Sequence, residues 1–280
     1  MAIDAMEMKL RPPEIQLKPY PPKLITLASG EKMVVREAKR EEVGALLGTV
    51  YPLIGVPTDF YDIVAVRMYS EILGWYRYRV ANEFVLVGAI DGVIAGIVTS
   101  RHVDSKLGMS LHTLTIKRGL RVGAQLFAAK MEHHIDILGE DEVFIVAESP
   151  NGFKRWMIEY QLEDRSAQFP AVRHELGGVP TFVLTRALWN AVRDIKCTGT
   201  RPISDADLKT ADKLIMPKEY SQLPGFKMAQ IMARVGIVGI GHTRFGNSSE
   251  YDLADVLAYA ATDCLKDAGF LARRKEIDQV

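Results

Sequence analysis

Cysteine is nearly absent from this chain, with only Cys197 and Cys264 among 280 residues. Two distant cysteines exclude a disulfide framework and show no metal-ligand spacing. Reduced thiols inside a cell are the expected state. An excess of charge of either sign is also lacking. Lys plus Arg number 35 and Asp plus Glu number 35, for a formal net charge of zero. That balance argues against a nucleic-acid binder or a polybasic membrane surface. Long apolar runs are missing too. The longest, Phe84 to Ser100, is interrupted by Asp91, Gly88, Gly92 and Gly96, which is too broken for a membrane span. The opening MAIDAMEMKLRPPE has early acidic residues and no apolar stretch of a secretory signal. These absences predict a soluble cytoplasmic protein that binds neither nucleic acid nor membrane.

What is present suffices for a packed core, since 48% of the residues are apolar. The length allows one large or two modest domains. Prolines crowd the start, at Pro12, Pro13, Pro19, Pro21 and Pro22, so residues 1–32 read as an extended arm. Met33 to Arg36 reads as a strand. Helices are expected over Glu41 to Leu53 and Asp59 to Tyr78. Asp91-Gly92 between two apolar runs is a hairpin signal joining Phe84–Ile90 to Val93–Ser100. A strand over Ser110 to Ile116 follows, then a basic glycine turn. Leu126, Phe127, Lys130, Met131, His134, Ile135 and Leu138 then repeat at helical spacing. Further strands are expected at Glu142–Ala147 and Gly178–Leu184, with a helix over Gly152 to Leu162 between them. Helices are expected at Ala187–Ile195 and Asp205–Leu214. The order predicts an α+β fold with a mixed, mostly antiparallel central sheet flanked by helices.

The segment Thr113 to Ala124, TLTIKRGLRVGA, carries the strongest signal. A strand, a glycine turn and a helix in that order gather unpaired first-turn N–H groups and a positive helix end, which attract phosphate. Arg118 and Arg121 add fork-shaped donors. The segment resembles the acyl-CoA pyrophosphate loop of the GNAT superfamily of N-acetyltransferases, roughly Arg/Gln-x-x-Gly-x-Gly/Ala. Arg118, Gly123 and Ala124 fit that pattern, while Arg121 stands where its first small residue is normally glycine. The order of elements over residues 33–190 is also similar to that of the superfamily.

The resemblance implies acetyl-CoA as cosubstrate, no metal, and direct attack of a small-molecule or peptide amine on the thioester. It places Arg118, Gly119, Arg121, Val122, Gly123 and Ala124 around the pyrophosphate. Leu114, Thr115 and Ile116 would face the pantetheine arm and carbonyl. Glu148 is the implied base, and its alternative is a solvated strand-end carboxylate. Asn151 would contact the CoA arm or act only as a helix N-cap. Tyr160 is the implied acid, although the usual tyrosine spacing from Asn151 falls on Ile158. His112, on the strand, is a further candidate base. His133 and His134 are adjacent on a helix and point apart, which argues against a metal site.

A second resemblance begins at Met232. The stretch MARVGIVGIGHTRFG, with helical spacing of Leu253, Val256, Leu257, Ala260, Cys264, Leu265 and Ala268, is similar to the N-terminus of thiolase-type acetyl-CoA acetyltransferases. It covers only 232–280, lacks the nucleophile such enzymes use, and predicts a truncated strand–helix fragment without thiolase activity. Cys264 falls on an apolar helix face, as an inert buried thiol. Gly239-Ile240-Gly241 is not a dinucleotide fingerprint, because Arg244 replaces the third glycine. The expected division is an arm over 1–32, an acyl-CoA-binding domain over 33–190, a linker or helical extension over 191–231, and the fragment over 232–280. A catalytically inactive CoA-binding or scaffold protein, with a thiolase as partner, is the alternative function.

Overall fold

The computed structural model describes residues 9, 11–13, 15–146, 158–168, 181–218 and 262. The chain divides into two units, Met1–Ile231 and Met232–Val280, and all that follows concerns the first. The thiolase-like segment lies outside the described residues apart from Thr262.

Eight strands form one sheet in the order β1-β2-β3-β4-β5-β6-β8-β7. They are β1 (Lys23–Thr26), β2 (Lys32–Glu37), β3 (Glu83–Ile90), β4 (Val93–His102), β5 (Leu107–Thr115), β6 (Glu142–Val146), β7 (Glu163–Asp164) and β8 (Thr181–Thr185). Every neighbouring pair is antiparallel except β5 and β6. The helices are α1 (Val43–Val50), α2 (Tyr61–Tyr76), α3 (Val122–Glu132), α4 (Arg186–Lys196) and α5 (Asp205–Thr210). The protein therefore has the mixed, mostly antiparallel α+β architecture expected from its sequence.

The apolar runs become central strands because helices cover both faces of the sheet. Successive side chains on β3 sort to opposite faces. Val85, Val87 and Ala89 pack with Ala65, Met68 and Ile72 of α2, whereas Phe84 and Leu86 pack with Leu126 and Ala129 of α3. The β3–β4 turn has Asp91 at φ 48° and Gly92 at φ 79°, the left-handed pair that suits the twist of a two-residue hairpin. Parallel pairing of β5 and β6 requires a crossover, which α3 supplies. Its last turn widens into a π-helical segment, His133–Leu138, and stops at Gly139 with φ 83°.

The proline-rich stretch contributes an edge strand and a buried tether. Tyr20 Oη and Lys23 Nζ donate to Glu132 at 2.6 and 2.9 Å, and Arg201 Nη1 donates to the same carboxylate at 2.6 Å. Farther on, α5 and the residues after it fold back over the α1–α2 face. Arg36 donates to the Ala211 carbonyl at 2.7 Å, and Ala211 and Leu214 enter the core. Helix α2 starts at Tyr61 rather than Asp59, because Asp59 and Phe60 adopt φ 56° and 62°, outside the helical region. Among the described residues, no helix is long and apolar enough to cross a membrane.

Candidate functional site

Among the described residues, strand β5 faces β6 from Leu107 to Ser110 and continues to Thr115 alongside β4. Its outer half thus has no strand on the β6 side among the described residues. The glycine turn leaves from this end of β5. Ile116 and Lys117 both donate their N–H to the Ala95 carbonyl, at 2.9 and 3.0 Å. Lys117 pairs with Glu31. The chain then turns through Gly119 at φ 84° and enters α3 at Arg121, whose φ of 61° and ψ of 21° are left-handed.

Arg121 occupies the N-cap without a side-chain capping bond, and no acidic residue lies in the first turn of α3. The helix start therefore lacks the carboxylate or hydroxyl that commonly satisfies first-turn N–H groups. Gly123 is buried, and a Cβ there would overlap Thr115 Oγ1. That close approach explains the small residue and lays the helix start against the end of β5. Val122 is fully buried, while Ala124 is partly exposed. An anion at this end would meet backbone donors and the positive helix pole together.

Arg118 is turned toward the loop before α2. Its guanidinium lies 2.7 Å from Asp59 Oδ2 and 5.7 Å from the Tyr61 ring centre. The Tyr61 hydroxyl donates to the Thr115 carbonyl at 2.7 Å. Burial pushes the Tyr61 phenol up, with Arg118 opposing. The α1–α2 connection is thereby stitched to the tip of β5 by one ion pair and one hydrogen bond.

The other residues singled out from sequence sort as follows. Leu114 and Ile116 are buried in the core beneath α2. The Ile116 N–H and the Thr115 carbonyl already have protein partners. Glu148 and Asn151 lie outside the described residues. Tyr160 is 2% exposed and meets Phe127 edge-on at 5.2 Å, in a cluster with Ile145 of β6. Burial pushes its phenol well above its ordinary value, with Arg121 opposing. A phenol so held stays protonated at neutral pH.

Sequence reasoning missed the buried polar networks. His112, a candidate base from sequence, is buried and places Nδ1 2.7 Å from Glu71 of α2. Ser100, His134 and Glu140 are linked as a nucleophilic triad would be, Ser100 Oγ to His134 Nε2 and His134 Nδ1 to Glu140. Ser100, His134 and Glu140 are each 0% exposed and Ser100 also donates to the Met109 carbonyl at 2.8 Å, so this set braces the core away from any substrate. His102 caps it through the second oxygen of Glu140 at 2.5 Å, and burial raises that carboxyl to about 7. Among the described residues, no group of three or more His, Cys, Asp and Glu side chains could hold a metal ion.

No family model matches the chain, and no curated protein matches it. Among solved structures, an acetyltransferase from Streptococcus agalactiae is similar at 13% identity, over 55% of this chain and 98% of that one, with a TM-score of 0.43. The aminoglycoside acetyltransferase AAC(6')-Ib, solved with coenzyme A and kanamycin, is similar at 13% identity, over 57% and 99%, with a TM-score of 0.40. The spermidine/spermine N-acetyltransferase of Vibrio cholerae is similar at 9% identity, over 57% and 96%, with a TM-score of 0.41.

Proposed function

We propose that residues 33–190 form an acyl-CoA-dependent N-acyltransferase that transfers acetyl from acetyl-CoA to an amine by direct attack. One observation carries this reading. Strand β5, which among the described residues pairs with β6 from Leu107 to Ser110, ends in a basic turn and a helix start without a side-chain cap. The residues present fit a diphosphate: backbone N–H groups of Val122, Gly123 and Ala124, with Arg118 beside them already holding a carboxylate. That carboxylate is an internal anion, and its place on Arg118 supports the use of this arginine for phosphate oxygens.

In the proposed reaction the amine nitrogen attacks the thioester carbon, the carbon–sulfur bond breaks, and the electron pair leaves on sulfur. The attacking nitrogen loses a proton to a base and the thiolate gains one from an acid. Glu148 is the proposed base. Tyr160 is the proposed acid. The oxyanion is assigned to backbone donors of β5.

The second reading is CoA binding without turnover, as a scaffold for a thiolase. Arg121 favours it, since an arginine there takes a left-handed backbone that glycine would adopt without strain. The test is acetyl-CoA calorimetry together with thiol release across a panel of primary amines. Binding with amine-dependent thiol release supports the acyltransferase. Binding with no release across the panel supports the scaffold, and no binding rejects both.

A further inference from the structure

The ladder between β4 and β5 breaks at one place. Val98 stands opposite Thr113 and Ser100 opposite Ser110. Leu111 and His112 therefore share the single facing residue Thr99, which is a β-bulge. A bulge takes backbone groups out of the ladder, and in a dry interior they need other partners.

Lys130, a buried amine on one face of the sheet, bonds the bulge's carbonyls, and on the other face Glu71 holds the Thr99 hydroxyl that accepts its N–H. From α2, Glu71 accepts from Thr99 Oγ1 at 2.5 Å and lies 2.7 Å from His112 Nδ1. Thr99 Oγ1 in turn accepts the His112 N–H at 3.1 Å. From α3, Lys130 Nζ donates to the carbonyls of His112 at 3.2 Å and Thr99 at 3.4 Å. Glu71 is 4% exposed and Lys130 is 0% exposed. A carboxylate and an amine thus grip the same bulge through the sheet.

Such an arrangement is a poor way to gain stability. Desolvating an ionised group costs several kcal/mol, and apolar side chains of similar volume commonly do as well or better. A regular ladder would need neither residue. What the clamp secures is a backbone shape, located in the half of β5 that lies beyond Ser110 and has no β6 partner among the described residues.

We infer that Glu71 and Lys130 are positioning residues that fix the bulged backbone of β5 against which the acyl thioester is polarised. This inference rests on the acyltransferase reading and adds two residues that no motif marks. It separates them from the pyrophosphate loop, because neither belongs to the turn or to the first turn of α3.

The test uses the full chain and acetyl-CoA labelled with carbon-13 at the thioester carbonyl. Wild type is compared with Lys130→Met, an apolar replacement of similar length, and with Glu71→Gln, which keeps the shape. Calorimetry reads affinity, infrared difference spectroscopy reads the carbonyl stretch, and melting reads stability. The inference expects wild-type affinity in both variants, loss of the low-frequency carbonyl band seen in wild type, and turnover lower by about a hundredfold. It is overturned if the variants retain the wild-type band. It is also overturned if both variants lose band and affinity only in step with unfolding. Wild type that binds acetyl-CoA without moving the band rejects this inference alone. Wild type that does not bind rejects the acyltransferase reading and this inference with it.

Discussion

The Asp59 carboxylate lies 2.7 Å from the Arg118 guanidinium, with both side chains about one-third exposed. Asp59 holds this position from a left-handed backbone, φ 56°. A phosphate arriving at the start of α3 must compete with it. Asn accepts left-handed backbone as readily as Asp, so Asp59→Asn removes the charge without disturbing the turn. An exposed ion pair is worth at most about 1 kcal/mol. Acetyl-CoA affinity should therefore rise up to about fivefold in this variant and fall in Arg118→Gln. Calorimetry that finds Asp59→Asn unchanged or weaker would show that Arg118 is not shared with the ligand.

Gly123 gives a second prediction. A Cβ at this position would overlap Thr115 Oγ1, whereas it would lie 3.6 Å from Thr115 Cβ. Gly123→Ala should cost about 1–3 kcal/mol through overpacking and weaken acetyl-CoA binding. Adding Thr115→Ala removes the colliding oxygen and should restore most of both. A double-mutant cycle in denaturant measures this coupling; additive losses would mean that the helix start is not packed on β5 as described.

Lys130 gives a stability signature. Burial lowers its amine from 10.5 to about 7, and Glu71 opposes the shift. His134 is a further titratable neighbour, which burial holds neutral, and Glu71 and His112 face it through the bulge. Between about pH 7 and 10.5 the unfolded chain keeps a proton that the folded chain has lost. Wild-type stability relative to Lys130→Met should then rise with pH across that window and be flat below it. Chemical denaturation at pH 6, 7, 8 and 9 reads the difference. A difference that stays flat from pH 6 to 9 would place the amine in a charged, solvated setting.

Cys197 should be a slow nucleophile. Burial raises its thiol to about 11, and Lys23 Nζ, 3.1 Å from Sγ, lowers it only in part. The thiolate fraction near neutral pH is then small. Alkylation followed by peptide mass mapping should find Cys197 protected in the native chain and modified in denaturant. Equal labelling in the two states would contradict its placement.

Local chemistry made much of the fold legible. The Asp91-Gly92 turn, the apolar runs of β3, β4 and β6, and the helical spacing of α3 each declare their element within a few residues. Strand β1 was hidden because prolines dominate its neighbourhood and only pairing with β2 makes an extended segment a strand. The expected helix from Asp205 shortens to Thr210 because Ala211 and Leu214 turn into the core, a tertiary demand on an otherwise polar stretch. The basic glycine turn was readable for the same reason as the hairpin, since its residues are contiguous. Glu71 and Lys130 were not. Glu71 carries no sequence mark of burial, and Lys130, though it falls on the helical repeat of α3, shows no sign of its partners; a bulge between β4 and β5 offers both of them partners. The bulge depends on register between strands, which no local pattern encodes.

The central claim is that the turn from Arg118 to Ala124 binds the diphosphate of acetyl-CoA. Calorimetry with the full chain, wild type against Arg118→Gln and Gly123→Ala, tests it most directly. The account predicts a dissociation constant in roughly the micromolar range for wild type and clear weakening in both variants. Absence of binding by wild type, or binding that neither substitution changes, would contradict it.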